Sequence, residues 1–375
     1  MLRVTIVGCG KIADQHVHAI RRILDCSIVA VCDQEPLMAQ QLAERFAVPG
    51  VFSDAREMLT AASPDVVHIT TPPRSHFPLA KQCLEAGSHV YLEKPFTVTA
   101  GEAKELIALA DNKGLKITVG HNYQFTLEMM EMRRLVASGF LGGKAVHVES
   151  HWGYNLGDAS YVGPILGSKT HWVRHLPGQL LQNVMSHGVA KLVEFLGDDF
   201  EISAHAHQSE RLRSLGGEEV QDELRVFLRD KSRMTAFFCF SSQIGPDLNS
   251  LRLCGPKNSL VVDQTNGSVL RLENKPCKSY LTYFAPPLRF AQQHLRNAQI
   301  NIINFLRGRL HQDFGMKELI ERFYTSIRLN GPPPIPYREI LLTARIMDEI
   351  FAQIYPQRST AAQAVVVQKE VAACV

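Results

Sequence analysis

The sequence predicts an α/β protein with two parts: an N-terminal, doubly wound parallel sheet and a C-terminal α+β domain with a large, mostly antiparallel open sheet. Strands alternate with helices as far as residue 120, and closely spaced strand-like segments replace this alternation afterwards. A chain of 375 residues has room for two domains of roughly 100–200 residues each. Its 45% hydrophobic and 21% charged residues are ordinary for a globular protein, so disorder is not expected.

The N-terminal part follows a regular order of strands and helices. Apolar segments over 2–7 and 28–32 predict the first two strands, with a helical pattern between them. Gly87 and Gly114 follow helical patterns, at positions where a helix commonly ends in a left-handed residue. Further helices are predicted at about 36–46, 54–62, 75–86 and 100–113, and further strands at 51–52, 65–70, 89–92 and 116–120. This alternation is typical of a parallel sheet, which would hold six strands by residue 120.

The pattern changes beyond residue 124. The Asn266-Gly267 pair is a hairpin-turn sequence, which favours antiparallel pairing of the strands beside it. Strands are predicted at about 145–152, 200–207, 219–228, 233–241, 251–254, 260–262 and 268–272, and helices at 127–138, 178–196, 288–309, 316–329 and 338–354. We therefore expect one domain over 1–122, a second over 123–355, and a loose C-terminal tail over 356–375.

The first strand leads into the glycine-rich turn Gly8-Cys9-Gly10, and the helix that follows begins with Lys11 and Ile12. Gly8 permits a tight turn, and Gly10 lets a diphosphate approach the backbone. Unpaired N–H groups and the dipole at the helix N-terminus favour a negatively charged ligand. Asp33 ends the second strand, where a carboxylate accepts hydrogen bonds from ribose hydroxyls. The order of these elements predicts a dinucleotide-binding Rossmann domain rather than a turn with a structural role alone.

Asp33 also bears on which dinucleotide is bound. Its carboxylate would repel the 2′-phosphate of NADP, and the residues that follow it are Gln34 and Glu35 rather than arginine. The sequence therefore favours NAD(H) over NADP(H).

The second motif is Tyr91-Leu92-Glu93-Lys94-Pro95, at the carboxyl end of a predicted strand. Ligands of open parallel sheets bind beyond these strand ends, which would place Lys94 beside the nicotinamide. The alternative is a solvated lysine at the end of a surface strand. Taken alone, the motif does not decide between the two interpretations.

Three segments in this order resemble the Gfo/Idh/MocA family of NAD(P)-dependent oxidoreductases, the glucose-fructose oxidoreductase and inositol dehydrogenase group. They are GCGKIADQHVHA near the start, ITTPPRSH at 69–76 and EKP at 93–95. The resemblance extends over nearly the whole chain. It implies hydride transfer between nicotinamide and a secondary alcohol or ketone of a sugar, a cyclitol or a nucleotide-sugar, with NAD as the cofactor.

The resemblance implies three catalytic residues: Lys94, His187 and Asn183. Family members usually carry Asp and His four residues apart on one helix face, and here Asn183 replaces the Asp while His187 matches. Asparagine can orient a hydroxyl or carbonyl but cannot take up a proton. We therefore expect Lys94 first and His187 second in proton transfer. On its residues alone, His187 could instead be a buried structural histidine.

Further site residues follow from the same resemblance. The cofactor site would include Thr71, Pro72, His76, Glu93 and Asn122, in addition to Gly8, Gly10, Lys11, Ile12, Asp33 and Lys94. The resemblance also implies substrate contacts from Tyr123 and Gln124. Composition adds Trp152, Trp172 and Arg174, which lie in a segment over 151–175 rich in glycine and aromatic residues, since rings stack on sugars and arginine pairs with carboxylate or phosphate. The family often has arginine in place of Gln124. The rings of this segment could equally form a local core, and His76 could have structural duties.

Several classes of partner are not expected. The net charge of +3 is too small to indicate nucleic acid, and the cysteines and histidines lack the spacing of a metal site. A signal peptide and apolar segments of bilayer-spanning length are also not expected, so we predict a cytoplasmic protein. The resemblance implies a homodimer or homotetramer. The basic amphipathic pattern over 288–309 fits packing on its own domain or, alternatively, an anionic membrane surface.

Two other functions are consistent with the sequence. Some family members use NAD transiently to cleave a glycosidic bond, and others bind dinucleotide as non-catalytic regulators. Asn183 and Gln124 favour the regulator, whereas Glu93-Lys94-Pro95 and His187 favour an enzyme.

Overall fold

The computed structural model describes residues 1–153, 155, 168, 171–214, 220–310 and 314–356. The chain forms two compact units, the first made of Met1–Phe125 with Asp313–Arg345 and the second of Thr126–Gln312 with Ile346–Val375. The predicted fold class is confirmed: the first unit holds a six-stranded parallel sheet, and the second a seven-stranded, mostly antiparallel sheet. Residues 357–375 of the predicted C-terminal tail lie outside the described residues.

The first unit contains all six strands predicted before residue 120. Its strands are β1 (Leu2–Val7), β2 (Cys26–Cys32), β3 (Gly50–Phe52), β4 (Val66–Ile69), β5 (His89–Leu92) and β6 (Ile117–Val119), and its helices are α1 (Lys11–Ile20), α2 (Pro36–Phe46), α3 (Ala55–Ala62), α4 (His76–Glu85) and α5 (Ala100–Asn112). The sheet order is β3-β2-β1-β4-β5-β6, with every pair parallel. The central strand β4 is buried throughout because helices cover both faces of such a sheet.

Helix starts in the first unit follow local capping chemistry. Asp54 precedes α3, and its Oδ1 accepts hydrogen bonds from Arg56 N (2.8 Å) and Glu57 N (3.0 Å). Thr99 precedes α5 and forms a capping box with Glu102. These short-range bonds satisfy N–H groups that a helix leaves unpaired, which is why the sequence located both helix starts.

The second unit is built around the larger sheet. Its strands are β7 (His147–Gly153), β8 (Phe200–His207), β9 (Glu223–Asp230), β10 (Thr235–Ser241), β11 (Leu248–Cys254), β12 (Ser259–Asp263) and β13 (Ser268–Leu272), and its described helices are α6 (Leu127–Ala137), α7 (Gln179–Val184), α8 (Ser186–Ala190), α9 (Glu210–Ser214) and α10 (Ala285–Leu306). The order is β13-β12-β11-β7-β10-β9-β8. Only the β7–β10 pair is parallel, and the other neighbours are antiparallel.

The helix predicted over 178–196 differs from the structure. It is divided into α7 and α8 at Met185, whose carbonyl oxygen accepts from both Gly188 N (2.9 Å) and Val189 N (3.1 Å). The bond to Gly188 spans three residues, which tightens the turn locally in the manner of a 3₁₀ helix. Asn183 and His187 therefore lie on successive short helices rather than on one continuous helix.

The segment after α10 differs from the expected domain boundary. Helix α11 (Phe314–Arg328) belongs to the first unit, although we expected 123–355 to form one domain. Its apolar residues Met316, Leu319, Ile320 and Phe323 recur at helical spacing and join the core of the parallel sheet. The last helix, α12 (Tyr337–Ile354), begins in the first unit and ends in the second. Sequence spacing shows that α11 has an apolar face, but it does not show which sheet that face covers.

Among the helices in the described residues, none is long and apolar enough to cross a membrane.

The placement of α11 gives a stability prediction. Phe323 is completely buried, so Phe323→Ala should lower the free energy of unfolding by about 3–5 kcal/mol through lost burial and a residual cavity. Leu329→Ala is the control, because Leu329 is 76% exposed and its loss should change stability by less than about 0.5 kcal/mol. Hydrogen–deuterium exchange after Phe323→Ala should rise in peptides from β1 and β4. A rise confined to β8–β10 would contradict this assignment.

Candidate functional site

The glycine-rich turn after β1 requires glycine at its first position. Gly8 has φ +96°, in the left-handed region, and an added Cβ would lie 2.7 Å from Thr71 Cγ2 and 2.8 Å from the Thr70 carbonyl carbon. Thr70 Oγ1 also donates to Val7 O at 3.1 Å. Conformation and close packing therefore both exclude larger residues, and the ends of β1 and β4 are held together at this turn.

Gly10 has a different function in the same turn. It is the N-cap residue of α1, its φ of −75° is ordinary, and a Cβ built on it would meet no atom within 4 Å. Glycine provides no capping side chain, so no N-cap side chain occupies the N–H groups at the start of α1, where Lys11 and Ile12 lie. A diphosphate fits this position because the helix dipole and these donors favour negative charge.

Asp33 follows β2 and ties its end to the glycine-rich turn. Its Oδ2 accepts a hydrogen bond from Cys9 N at 2.6 Å, and its Oδ1 accepts one from Glu35 N at 2.9 Å. A carboxylate has about four acceptor positions, so these two bonds leave capacity for ribose hydroxyls. Asp33 thus holds the turn in place, and the ribose contact stays a prediction.

Glu93 follows β5 and is 7% exposed. Its Oε1 lies 2.9 Å from His16 Nε2, and its Oε2 accepts from Lys94 N at 3.2 Å. Gly120 leaves room for this carboxylate, since a Cβ there would lie 2.8 Å from Glu93 Oε1. Burial by itself would raise the pKa of Glu93, but the His16 hydrogen bond and the charges of His16 and Lys94 lower it overall. Glu93 is therefore a fixed negative charge at the end of β5.

Lys94 lies next to this carboxylate, and its peptide bond to Pro95 is cis. Burial lowers the pKa of the Lys94 ammonium, and the Glu93 charge offsets part of this effect. Burial also lowers the pKa of nearby His121 to about 3, so this imidazole stays neutral. A lysine with a lowered pKa has more neutral amine available near pH 7 than an ordinary surface lysine.

His76, at the start of α4, is completely buried and bridges two loops. Its Nδ1 lies 2.9 Å from Pro95 O, and its Nε2 lies 2.8 Å from Thr71 O. Burial lowers the pKa of His76, although its contacts with these carbonyl groups oppose the shift. His76 thereby links the loop that contains Thr71 and Pro72 to the loop that contains Lys94, which is the contact expected of a positioning residue.

Sequence reasoning missed a buried polar cluster behind Glu93. His16 Nδ1 lies 2.9 Å from His68 Nδ1, and His68 Nε2 lies 2.8 Å from Tyr324 OH on α11. Tyr91 stacks on His68 with ring centroids 4.6 Å apart. Burial lowers the pKa of His68 and raises that of Tyr324, so both side chains stay neutral. The available signal was the polar His68 within the apolar strand Val-Val-His-Ile.

The three candidates after β6 lie in a 3₁₀ turn over Asn122–Phe125. Asn122 Oδ1 is buried and accepts no hydrogen bond from the described residues, so it could accept one from a bound ligand. Burial raises the pKa of Tyr123, and Gln124 is only 2% exposed. The structure therefore gives Gln124 the surroundings of an interior residue, and its predicted contact with substrate stays untested.

His187 and Trp152 come together in the second unit. Their rings stack with centroids 5.5 Å apart and planes 20° apart, and both side chains are buried. Gly188 allows α8 to pack closely against the sheet because it has no side chain. A Cβ there would lie 2.2 Å from Phe238 Cε2 of β10. Ser150 Oγ donates to Gly188 O at 2.9 Å. The glycine after His187 thus determines where that imidazole lies relative to β7.

Lys191 is a second residue that sequence reasoning missed. It is fully buried, and its Nζ donates to Asn249 Oδ1 at 2.6 Å and to Gln264 Oε1 at 3.2 Å. The same Nζ lies 5.3 Å from the centre of the Trp152 ring. Burial lowers the pKa of Lys191 to about 7. The signal was a lysine one helical turn after His187, in the apolar sequence Val-Ala-Lys-Leu-Val.

The other second-unit candidates lie nearby in sequence. Trp172 and Arg174 belong to a 3₁₀ turn over Trp172–His175, in which His171 stacks on Trp172 at 5.6 Å. Asn183 lies in the last turn of α7. Within the aromatic-rich segment, residues 154, 156–167 and 169–170 lie outside the described residues. The structure therefore joins Trp152 to His187 and Trp172 to His171.

Residues 2–121 match the sequence profile of the Gfo/Idh/MocA family, described as an oxidoreductase family with an NAD-binding Rossmann fold. Over these residues, which are about a third of the chain, the sequence is similar to the Gfo/Idh/MocA family. The resemblance predicted from the three motifs is confirmed there, and the matched residues include the N-terminal parallel sheet and its glycine-rich turn.

One curated relative and two solved structures extend this comparison. D-glucoside 3-dehydrogenase of Escherichia coli K12 is 38% identical over 143 residues, which are 38% of this chain and 40% of that protein. The chain thus spans about two fifths of this relative's length. The structure of WlbA dehydrogenase from Bordetella pertussis, in complex with NADH and UDP-GlcNAcA, has a TM-score of 0.75 and 18% identity and covers 96% of each chain. Scyllo-inositol dehydrogenase of Lactobacillus casei, with bound NAD(H) and scyllo-inositol, has a TM-score of 0.71 and 18% identity over 94% of this chain and 97% of its own. These structural likenesses show the fold.

The buried Lys191 predicts an unusual pH dependence of stability. Its pKa is about 7 in the folded protein against 10.5 for an ordinary lysine, so unfolding takes up a proton between these values. Raising the pH from 7 to 10 should therefore stabilise the wild type relative to Lys191→Met, by roughly 2–4 kcal/mol. Urea unfolding followed by tryptophan fluorescence measures this, because Trp152 and Trp172 both lie in the second unit.

Lys231→Met serves as the control for this series, since the Lys231 side chain is 81% exposed. Its unfolding free energy should keep the pH dependence of the wild type. If Lys191→Met also keeps it, the amine is charged in the folded state and the assigned pKa is wrong.

Proposed function

We propose that the protein is an NAD-dependent oxidoreductase that transfers a hydride between nicotinamide and a secondary alcohol or ketone of a sugar, cyclitol or nucleotide-sugar. The observation that carries the proposal is Lys94, a lysine of lowered pKa at the carboxyl end of β5. Ligands of doubly wound sheets bind at this edge. When bound, nicotinamide would supply the hydride acceptor or donor.

The cofactor is assigned to contacts in the first unit. The start of α1 at Gly10 would hold the diphosphate, and Asp33 would accept from the adenosine ribose. Asp33 has Gln34 and Glu35 after it, so a 2′-phosphate would meet negative charge without a neighbouring arginine. This arrangement favours NAD(H) over NADP(H). Asn122 Oδ1 is buried with no hydrogen-bond partner among the described residues, and it would accept a hydrogen bond from the nicotinamide end.

Proton transfer is assigned to this chain's own bases. Lys94 Nζ would accept the hydroxyl proton during oxidation and return it during reduction, because its lowered pKa increases the share of neutral amine that can act as a base. His187 is the second candidate, held by its stack on Trp152. Asn183 would orient the substrate through its amide. Glu93 and His76 position the loop of Lys94 and are not assigned a proton-transfer step.

The sugar-like substrate class is supported by a relative and by the aromatic side chains. D-glucoside 3-dehydrogenase, the relative at 38% identity, is named for oxidation of a glucoside. Trp172 offers a ring of the kind that stacks on sugars, and Arg174 could pair with an anionic substituent. Trp152 is buried against His187 and would act on the substrate through that imidazole. We also propose that the working form is a homo-oligomer.

The cofactor assignment predicts opposite outcomes for two alanine substitutions. Gly10→Ala adds a methyl group where the protein itself has open space, so the fold should be kept while NADH affinity falls about tenfold or more. Gly101→Ala, on the exposed surface of α5, should leave both unchanged. Fluorescence titration with NADH and NADPH measures this, and the wild type should bind NADH more tightly. Unchanged NADH binding by Gly10→Ala would show that the diphosphate does not bind at this turn.

The catalytic assignment predicts that Lys94→Met loses activity without losing cofactor. Turnover on a panel of sugars that includes D-glucosides should fall by a factor of about 10²–10⁴, with the dissociation constant for NADH changed less than about threefold. Lys81→Met, at an exposed lysine paired with Glu105, should behave as wild type. Retained turnover in Lys94→Met would exclude it as the base. A wild type that binds NADH but turns over nothing on the panel would favour the non-catalytic regulator.

A further inference from the structure

Helix α10 is attached to its own unit by its polar face. Gln293, Asn297 and Asn301 recur every four residues and face the edge strand β13. Arg271 N donates to Gln293 Oε1 at 2.8 Å, Gln293 Nε2 donates to Arg271 O at 3.2 Å, Asn297 Nδ2 to Val269 O at 3.1 Å and Asn301 Nδ2 to Gly267 O at 3.1 Å. These side-chain amides cover the backbone groups that an edge strand would otherwise expose.

The opposite face of α10 is apolar and points away from the unit. Its larger members are 63% (Phe284), 70% (Leu288), 67% (Leu295), 60% (Ile302) and 68% (Phe305) exposed. No residue of α10 is buried among those that the structure describes. This arrangement is the reverse of ordinary helix packing, in which the apolar stripe faces the core. We therefore expect another surface to cover this apolar face.

The spacing of this face selects a helix as the partner. Phe284, Leu288, Ala291, Leu295, Ala298, Ile302 and Phe305 are separated alternately by four and three residues. This is the heptad pattern of a coiled-coil seam sustained over three repeats, with leucine and isoleucine at one position and alanine or phenylalanine at the other. The two alanines allow close approach of a second helix backbone.

The charges beside the seam select a second copy of the same chain. The flanking positions carry Gln292, His294 and Gln299, with no lysine, arginine or acidic residue. Two copies can therefore pair without opposing like charges.

A membrane surface fits this helix less well than a second copy. A helix that lies on an anionic membrane has lysine or arginine on its free surface to meet the lipid headgroups. Here Arg289 and Arg296 line the cavity of about 660 Å³ between α10 and β13.

The size of the face also fits a dimer. Phe284, Leu288, Leu295, Ile302, Phe305 and Leu306 would bury on the order of 500 Å² per chain when covered. A standard interface takes about 800 Å² per partner. The adjacent turn over Ser279–Tyr283 adds Tyr280 and Tyr283, which are 61% and 79% exposed.

We propose that α10 is a dimerisation helix, whose seam from Phe284 to Phe305 pairs with the same seam of a second copy about a two-fold axis. The pairing is isologous, because one self-complementary stripe serves both copies. This inference is independent of the proposed enzymatic function. It adds an interface formed by a helix at the sheet edge to any assembly through the face of the sheet.

The test compares Leu295→Glu with the wild type by sedimentation and light scattering. Leu295→Glu places a carboxylate at the centre of the seam, so the assembly should fall to half the wild-type mass. Leu24→Glu is the matched control, because Leu24 is an 82% exposed leucine of the first unit and its replacement should leave the mass unchanged. Circular dichroism and the NADH titration check that each variant is folded, since the seam lies outside the cofactor contacts.

Hydrogen–deuterium exchange of α10 provides a second measurement. Wild-type α10 should become more protected as the protein concentration rises, and Leu295→Glu should abolish this dependence. A monomeric wild type, or an assembly of unchanged mass in Leu295→Glu, overturns the proposal. Protection at all concentrations in a monomer would mean that another part of the same chain covers the seam. Binding of monomer to phosphatidylserine vesicles, lost in Leu295→Glu, would instead assign the face to a membrane.

Discussion

Glu93 is a buried carboxylate whose contacts organise the first unit. Its Oε1 lies 2.9 Å from His16 Nε2 of α1, and its Oε2 accepts a hydrogen bond from Lys94 N. The His16 ring in turn contacts His68, and His68 contacts Tyr324 OH of α11. An ionised group in such surroundings is stable only when its partners satisfy it, so the surrounding elements are constrained together. Gly120 is part of the same constraint, because any side chain there would displace the carboxylate. The position of Lys94 depends on this arrangement.

Each unit contains a lysine whose pKa is lowered by burial. Lys94 lies beside Glu93, which partly offsets the loss of hydration. Among the described residues, Lys191 Nζ instead contacts two neutral amide oxygens and lies over the ring of Trp152. The pKa is accordingly lowered in both, and to about 7 for Lys191. Desolvation disfavours the charged form whenever a counter-charge is missing. The cause of the lowered pKa is therefore the same in both units, namely loss of hydration of the ammonium group.

Helix α10 shows how one amphipathic pattern can serve two surfaces. Its amides at positions 293, 297 and 301 satisfy the edge of the sheet, and its apolar stripe remains for a partner. The sequence indicated a basic amphipathic helix here, and hydropathy alone suggested that the apolar side faces the domain or a membrane. Hydrogen bonds to β13 reverse that orientation. Side-chain amides can replace the missing strand at an edge, whereas leucine cannot.

The sequence by itself determined which segments along the chain form the strands of both sheets, where the glycine-rich turn lies, and that Asp33 and Lys94 follow strand ends. These features depend on periodicity and short-range backbone chemistry. It also predicted the family from three motifs. Tertiary structure decided that α11 joins the first unit and that the helix over 178–196 divides at Met185. It also decided that the polar side chains of His16, His68 and Lys191 are buried, each within its own unit. These features depend on contacts between residues far apart in the chain, such as His68 with Tyr324, and one sequence shows an apolar or polar face without showing what that face meets.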